Sequence, residues 1–340
     1  MITKPAWILG ITLTLLGVSP VFAQTVRVPL SDPDRWEAIS SGDSQVILNH
    51  DYSTDAIPAA PNGDDRIGVK LWANRETPLG AEEVAIIPQK VPRGFDYRLS
   101  VDLWGNYEWG STQSRTEFLG TFIGHDGSTS GRDGVGFMYS NDGGAARDYR
   151  LYHGVHEQFS DSGQYAPELF ELCDPSQSEN NDCRDDAFDY WGEAFYGMDT
   201  GQALEPDSGQ TGNPTDYQNF GVAGFQWVTL QTDVSYQSQT ATVTMLAHGN
   251  PEFPNDPPIE VKIGTLDLSA NPNALAGHAA VVYADLFANV SDSPSFSFGI
   301  ADNFTLEFDG VGDFDSDGIY DCSDVDALVA EIASGRNLRN

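Results

Sequence analysis

The residues best suited to chemistry lie near the carboxyl end, in the segment DFDSDGIYDCSD that covers residues 313 to 324. Asp fills its first, third, fifth, ninth and twelfth positions, and Gly318 fills the sixth. Carboxylates this close repel one another unless a cation lies among them, and Ca²⁺ prefers about six to eight oxygen ligands. The spacing therefore predicts a calcium-binding loop.

The predicted ligands are oxygen atoms from alternate positions of the loop, because those positions point inward when the chain wraps the ion. They are the side chains of Asp313, Asp315 and Asp317, the backbone carbonyl of Ile319, Asp321 directly or through water, and Asp324. Gly318 lacks a Cβ and so permits the sharp turn between them.

A short helix is expected after the loop, because Val325, Leu328, Val329 and Ile332 recur at helical spacing before Gly335. The residues before the loop, NFTLEFDGVG, indicate a strand and a turn where an EF-hand has a helix. With Asp at the twelfth position, the segment GDFDSDGIYDCSDVDAL at 312–328 resembles a single dockerin type I repeat. This resemblance implies Ca²⁺ as cofactor, a repeat over residues 309–335 and a cohesin-like protein partner.

The rest of the mature chain, residues 24–308, shows short runs of alternating apolar residues rich in β-branched and aromatic types, separated by Gly, Asn, Asp and Ser. This pattern predicts an all-β sandwich of the jelly-roll kind. The candidate strands are 67–74, 83–88, 97–107, 116–125, 133–140, 148–154, 225–236, 240–249, 259–268, 280–288 and 296–308. The stretches DGVGFMYSNDGGAARDYR and GIADNFTLEF are similar to strands of concanavalin A-like (LamG-like) lectin jelly rolls in secreted bacterial proteins.

An acidic insertion over residues 155–216 interrupts this rhythm and contains Arg184 as its one basic residue. Cys173 and Cys183 lie within it, and in an exported chain they are expected to form a local disulfide. Cys322 is then left over, either buried in the calcium loop or paired between molecules.

Aromatic side chains that stack on sugar rings are the candidate ligand-binding residues. One group is Trp104, Tyr107 and Trp109, and the other is Tyr190, Trp191, Phe195 and Tyr196 in the acidic insertion. The alternative is that these rings are packing residues, and that alternative is favoured for Trp104 because it lies within a predicted strand.

Residues 1–23 have the features of a secretory signal peptide: Lys4, an apolar run from Ala6 to Val18, and Val21-Phe22-Ala23 before the predicted cleavage site. The apolar run is too short for a membrane span. The chain carries 17 Lys and Arg against 51 Asp and Glu, a formal net charge of -34. That charge excludes nucleic acid as a partner, because phosphate binding needs a basic surface.

These features predict a secreted or cell-surface calcium-binding protein that binds carbohydrate or is attached to an extracellular polysaccharide-processing assembly, with a polysaccharide or an extracellular matrix component as its partner. An extracellular glycoside hydrolase or polysaccharide lyase is the first alternative, and a non-catalytic structural protein is the second. No catalytic residue is assigned, since the E-x-D-x-x-E pattern of retaining β-glucanases is absent from the sequence. His125-Asp126 is an oriented base only if a nucleophile lies nearby.

Overall fold

Two antiparallel β-sheets make up the part of the chain that the structure describes. The structure is a computed structural model, and it describes residues 24–30, 32–40, 42–63, 65–73, 82–88, 96–106, 117–127, 135–141, 149–152, 223–224, 226–248, 258–269, 273–285 and 297–308. The strands are β1 Gln24–Arg27, β2 Trp36–Ser40, β3 Gln45–Asp51, β4 Ile67–Trp72, β5 Glu82–Pro88, β6 Tyr97–Asn106, β7 Glu117–His125, β8 Val135–Ser140, β9 Tyr149–Tyr152, β10 Trp227–Ser235, β11 Thr240–Ala247, β12 Ile259–Asp267, β13 His278–Asp285 and β14 Phe298–Phe308. Short helical turns lie at Pro33–Arg35, Tyr52–Asp55 and Asn273–Ala276.

One sheet has the order β12-β11-β10-β6-β14-β4-β3, with β1 also paired to β14. The other has the order β2-β5-β13-β7-β8-β9. Successive strands pass repeatedly from one sheet to the other, as in a jelly roll. The all-β jelly-roll sandwich predicted from the sequence is therefore confirmed.

All eleven predicted strands are present, with ends displaced by a few residues. Three further strands at the amino end, β1 to β3, were not predicted. For β2 and β3 the signal is weak because few of their side chains are fully buried: β2 buries only Trp36, and β3 has no fully buried residue.

The main core lies between the two sheets, and it takes alternate residues of strands such as β6, β8 and β11. In β7, Leu119 and Ile123 belong to this core, whereas Phe118 and Phe122 belong to a separate cluster on the other face of the six-stranded sheet. All nine residues of β7 are buried, so this strand has two apolar faces. Gly120 allows close pairing of β7 with β8, because a Cβ there would overlap the carbonyl oxygen of Phe137.

The outer face of the eight-stranded sheet is covered in part by residues 52–63, which we call the strap. The strap contributes Tyr52, Ile57 and Ala60 to a cluster that includes Trp104 and Trp227. The ring centroids of Trp104 and Trp227 are 5.7 Å apart, in an edge-to-face arrangement. Pro58 fixes the strap over this cluster, because its carbonyl oxygen accepts a 3.0 Å hydrogen bond from Trp227 Nε1.

Candidate functional site

A row of polar residues crosses the outer face of the eight-stranded sheet beside the strap. Asp102 of β6 lies directly opposite Thr229 of β10 on one side and Asp302 of β14 on the other. Directly opposite residues in antiparallel strands point to the same face. Strand register therefore brings together three residues that are far apart in the sequence.

Asp102 is fully buried and is the centre of a hydrogen-bond network. Its Oδ1 accepts from Thr229 Oγ1 at 2.5 Å and from Asn62 Nδ2 at 2.8 Å. Its Oδ2 accepts from the Asn62 backbone N–H at 3.1 Å and from Asn303 Nδ2 at 2.8 Å. A carboxylate offers about four lone-pair positions, so these bonds use its whole accepting capacity. We refer to Asp102, Thr229, Asn62, Asn303 and His248 as the Asp102 cluster.

His248 joins this cluster through Thr229, with its Nε2 only 2.6 Å from Thr229 Oγ1. The one hydroxyl proton of Thr229 is donated to Asp102, and therefore His248 Nε2 must be the donor. Burial lowers the pKa of His248, and the nearby Asp102 charge raises it by a smaller amount. The ring is consequently neutral at pH 7, with its proton on Nε2 and a lone pair on Nδ1.

A break in the β14 register shapes the other side of the cluster. The β6–β14 pairing shifts between Asp302 and Thr305, and Asn303 has the positive φ of 53° that Asn tolerates better than most residues. This conformation turns the Asn303 amide toward Asp102. Asn303, which lies in the stretch GIADNFTLEF quoted above, is therefore the member of the Asp102 cluster that β14 supplies.

Asp302 connects the sheet to the strap, because Tyr52 donates its hydroxyl to Asp302 Oδ2 at 2.8 Å. The Asn303 backbone N–H donates to Asp302 Oδ1 at 2.7 Å. Burial raises the pKa of Asp302 to about 6, and the two hydrogen bonds counteract only part of this rise. The Asp102 charge opposite raises it slightly further. Asp302 is 5% exposed, so its carboxyl has little access to solvent.

A second charged group lies on the same face, next to the start of the strap. Lys70 Nζ is 2.8 Å from Asp55 Oδ1, and His50 Nε2 is 2.6 Å from Asp55 Oδ2. The Lys70 ammonium lies 4.5 Å from the ring centroid of Trp72 and 3.8 Å from that of Phe298. Burial lowers the pKa of Lys70 despite its bond to Asp55. This group attaches the strap to β3 and β4.

Three buried acidic residues form a row on the inner face of the six-stranded sheet. Asp285 lies opposite Glu82 on one side and Glu117 on the other. Glu82 also accepts a 3.0 Å bond from Ser44 Oγ. Within the described residues, however, no group of three or more His, Cys, Asp or Glu side chains is arranged to hold a metal ion.

Most of the residues predicted from the sequence to form sites lie outside the described residues. These are the calcium ligands Asp313, Asp315, Asp317, Ile319, Asp321 and Asp324, the aromatics Tyr107, Trp109, Tyr190, Trp191, Phe195 and Tyr196, and the cysteines Cys173, Cys183 and Cys322. The acidic insertion also lies there, between β9 and β10 in the sequence.

Two of the sequence candidates are described. Trp104 is 2% exposed and packs on Trp227, which confirms that it is a packing residue. His125 is 1% exposed, its Nδ1 accepts from the Gly127 backbone N–H at 3.1 Å, and burial lowers its pKa to about 4. Because the ring is almost inaccessible to solvent and its Nδ1 already accepts a hydrogen bond, the structure does not support a role for His125 as a general base.

The Asp102 cluster was missed because its members are widely separated and individually ordinary in the sequence. Of its members, only Asn303 lies in a stretch, GIADNFTLEF, for which the sequence indicated a resemblance to known lectin strands. Among the described residues, no helix is long and apolar enough to cross a membrane.

The sequence matches no protein-family model and no curated protein sequence. Similar solved structures include arcelin-5, a lectin-like defence protein from Phaseolus vulgaris, with 5% identity over 84% of this chain and 97% of that chain and a TM-score of 0.38. Lectin II from Ulex europaeus has 9% identity, covers 86% of this chain and 99% of that chain, and has a TM-score of 0.34. The Ca²⁺-bound exoplasmic/lumenal domain of VIP36 has 12% identity, covers 84% and 90%, and has a TM-score of 0.36. At these identities and TM-scores, no function can be transferred to this chain.

Proposed function

We propose that the protein is an exported carbohydrate-binding protein and that the Asp102 cluster is its glycan site. The observation that carries this proposal is the set of hydrogen bonds to Asp102. All accepting positions of this fully buried carboxylate are occupied by donors from neighbouring residues, which are thereby fixed in place. Asn303 is held by Asp102 and His248 by Thr229, and both residues are half-buried, so part of each remains exposed to solvent.

Fixed polar groups at a surface suit a ligand that carries many hydroxyls. Each sugar hydroxyl both donates and accepts, and ordering a mobile protein side chain on binding costs about 0.5–1.5 kcal/mol. Side chains already held by Asp102 avoid part of that cost. The arrangement of the cluster therefore supports a role in binding a ligand with many hydroxyl groups over a purely structural role.

The same geometry favours binding over hydrolysis. Asp102 and Asp302 are adjacent carboxylates with different surroundings, a feature that glycosidases use for an acid and a base. Here, however, Asp102 has no accepting position left, and Asp302 is buried beneath the Tyr52 hydroxyl. Neither carboxyl is placed to reach a glycosidic bond.

We also propose that the carboxyl-terminal loop binds Ca²⁺, because its donor set is made of the hard oxygen ligands that calcium prefers. Residues 1–23 would direct export of the protein. Extracellular calcium-binding modules bind the ion with dissociation constants of about 0.1–1 mM. The dockerin-like repeat would then attach the sandwich to a cohesin-like protein of an extracellular assembly.

The glycan proposal is tested by retention of the mature protein on a panel of immobilised plant and marine polysaccharides. Asn303→Gly removes the amide while keeping a residue that tolerates positive φ. Asn49→Gly is the matched control, since Asn49 is exposed on β3 and has a φ of 57°. We expect retention of the wild type and of Asn49→Gly, and at least about tenfold weaker binding by Asn303→Gly, the loss of roughly one hydrogen bond.

Other outcomes would count against the proposal. Equal retention of both variants would remove the Asp102 cluster from the binding site. Release of reducing ends or unsaturated products would favour the enzyme alternative. If the protein is not retained and releases no products, a structural role would be favoured.

The calcium proposal is tested by isothermal titration of the whole mature protein with CaCl₂. We expect the wild type to bind at least one ion more than the double variant Asp313→Ala, Asp317→Ala. Equal calcium uptake by the two proteins would contradict the proposal.

A further inference from the structure

We infer that the Asp102 cluster selects neutral, hydroxyl-bearing sugars and rejects anionic polysaccharides. This inference rests on the proposed function and adds to it the chemical class of the ligand. It follows from the direction of the hydrogen bonds around Asp102.

The orientation of the Asn303 amide is dictated by its partner. A carboxylate oxygen only accepts, so the amide must present its NH₂ to Asp102. The Asn303 carbonyl oxygen is then on the side of the amide away from Asp102. The part of this amide that remains for a ligand is an acceptor, and it lies beside Gly63 of the strap.

The orientation of His248 is dictated in the same way, through one intermediate. Thr229 has a single hydroxyl proton and gives it to Asp102, and therefore the ring must donate from Nε2. In the neutral ring the remaining nitrogen, Nδ1, is an acceptor. Burial lowers the pKa of His248, which keeps this neutral form at pH 7.

Asp102 thus fixes two ambivalent side chains, an amide and an imidazole, as hydrogen-bond acceptors on two half-buried residues. Every hydrogen bond to Asp102 comes from a neutral donor, namely a backbone amide, two side-chain amides and a hydroxyl. Among the described residues, the negative charge of the site is therefore shared among dipoles, and none of the hydrogen bonds to Asp102 comes from a cation.

A ligand that fits such a surface must bring hydrogen-bond donors and no negative charge. Sugar hydroxyls meet both conditions. The carboxylate of a uronic acid, or a sulfate ester, places acceptors against acceptors and adds charge repulsion beside Asp102 and Asp302. The formal net charge of -34 acts in the same direction over a longer range.

The test compares affinities for neutral polysaccharides (mannan, xylan, galactan and β-glucan) with those for anionic ones (alginate, polygalacturonate and carrageenan) at 0.05 and 0.5 M NaCl. High salt screens the long-range repulsion, because the Debye length falls to about 4 Å at 0.5 M, but it leaves the local mismatch of acceptors. We expect neutral ligands to be preferred at least about tenfold at both salt concentrations.

Variants of His248 test whether the acceptor on this ring decides the preference. His248→Lys replaces an acceptor by a cationic donor, and we expect it to lose affinity for neutral ligands at least about tenfold and to gain measurable binding of anionic ones. Gln237→Lys makes the same type of charge change at an exposed turn beyond the far end of β10, and we expect no change of preference. His248→Gln keeps a donor and an acceptor without adding charge, and we expect it still to favour neutral ligands even where its affinity for them falls.

The inference is overturned if the wild type binds anionic ligands as tightly as neutral ones at 0.5 M NaCl, or if His248→Lys and Gln237→Lys behave alike. Binding of an anionic polysaccharide that is weakened by Asn303→Gly would leave the proposed function standing and overturn the inference alone. Retention on no polysaccharide of either class would overturn both.

Discussion

At the scale of single residues, burial is the main cause of the shifted pKa values in this molecule. Asp302 shows this most clearly: loss of solvent raises the pKa of its carboxyl to about 6, although Tyr52 and the Asn303 backbone N–H both donate to it. A raised pKa means that the folded state binds the proton more tightly than the unfolded chain. The resulting stabilisation is present below pH 4 and is lost as the pH rises through 6.

Replacing Asp302 by Asn should remove this pH dependence. The rise in the pKa of Asp302 from its ordinary value of 3.8 to about 6 corresponds to about 3 kcal/mol of linked free energy. Tyr52 can then donate to the Asp65 carbonyl oxygen, which lies 3.2 Å from its hydroxyl. We expect the free energy of unfolding of Asp302→Asn, measured by urea denaturation, to gain on the wild type as pH rises from 4 to 7. A difference that does not vary with pH would contradict this assignment.

Asp102 should contribute far more to stability than an exposed acid. Asp102→Ala leaves the Asn62, Asn303 and Thr229 donors without their shared acceptor, and we expect a loss of about 2–4 kcal/mol. Asp233→Ala is the control, because Asp233 pairs with Arg98 at the surface and such pairs contribute about 0–1 kcal/mol. Equal shifts of the urea midpoint for the two variants would show that Asp102 is not the centre of the network.

At the scale of single elements, the hairpin between β10 and β11 contains a strained turn. Gln239 has a φ of 54°, which glycine adopts without penalty. We expect Gln239→Gly to raise the free energy of unfolding by up to about 1 kcal/mol. Gln237→Gly, in the same turn, should lower it by a few tenths of a kcal/mol through the greater chain entropy of the unfolded state. Thermal denaturation of the pair tests this, and a melting temperature for Gln239→Gly below that of Gln237→Gly would contradict it.

Strands were predictable from the sequence where they pack against the core. The alternating runs of β4 to β14 gave their positions to within a few residues, because β-branched and aromatic side chains fill one or both faces. β2 and β3 were missed because exposed polar positions such as Glu37 and Asn49 weaken their pattern. Edge strands bury less, so the sequence carries less information about them.

The Asp102 cluster could not be predicted in the same way. Its members come from the strap, β6, β10, the end of β11 and β14, and only the register of three strands brings them into contact. No spacing in the sequence encodes that register. The stretch GIADNFTLEF resembled a lectin strand in the sequence, and the break in register within it, with the positive φ of Asn303, explains why Asn occurs there.

At the scale of the whole molecule, the dominant property is the formal net charge of -34. Like charges repel one another more in the compact state than in the unfolded chain, and salt screens this repulsion. We expect the melting temperature to rise between 0.01 and 0.5 M NaCl in the presence of a calcium chelator, with sucrose of equal osmolality as the control. A melting temperature that is constant or falls with NaCl would show that charge repulsion is not a major term.

The central claim, that the Asp102 cluster presents glycan-binding acceptors, is tested most directly by ¹⁵N NMR of the imidazole nitrogens of His248. The account predicts a neutral ring protonated on Nε2 at pH 7, and a shift of the Nδ1 resonance when neutral manno-, xylo-, galacto- and gluco-oligosaccharides are added, with no such shift in Asn303→Gly. A ring protonated on Nδ1, or resonances unmoved by oligosaccharides that bind elsewhere on the protein, would contradict it.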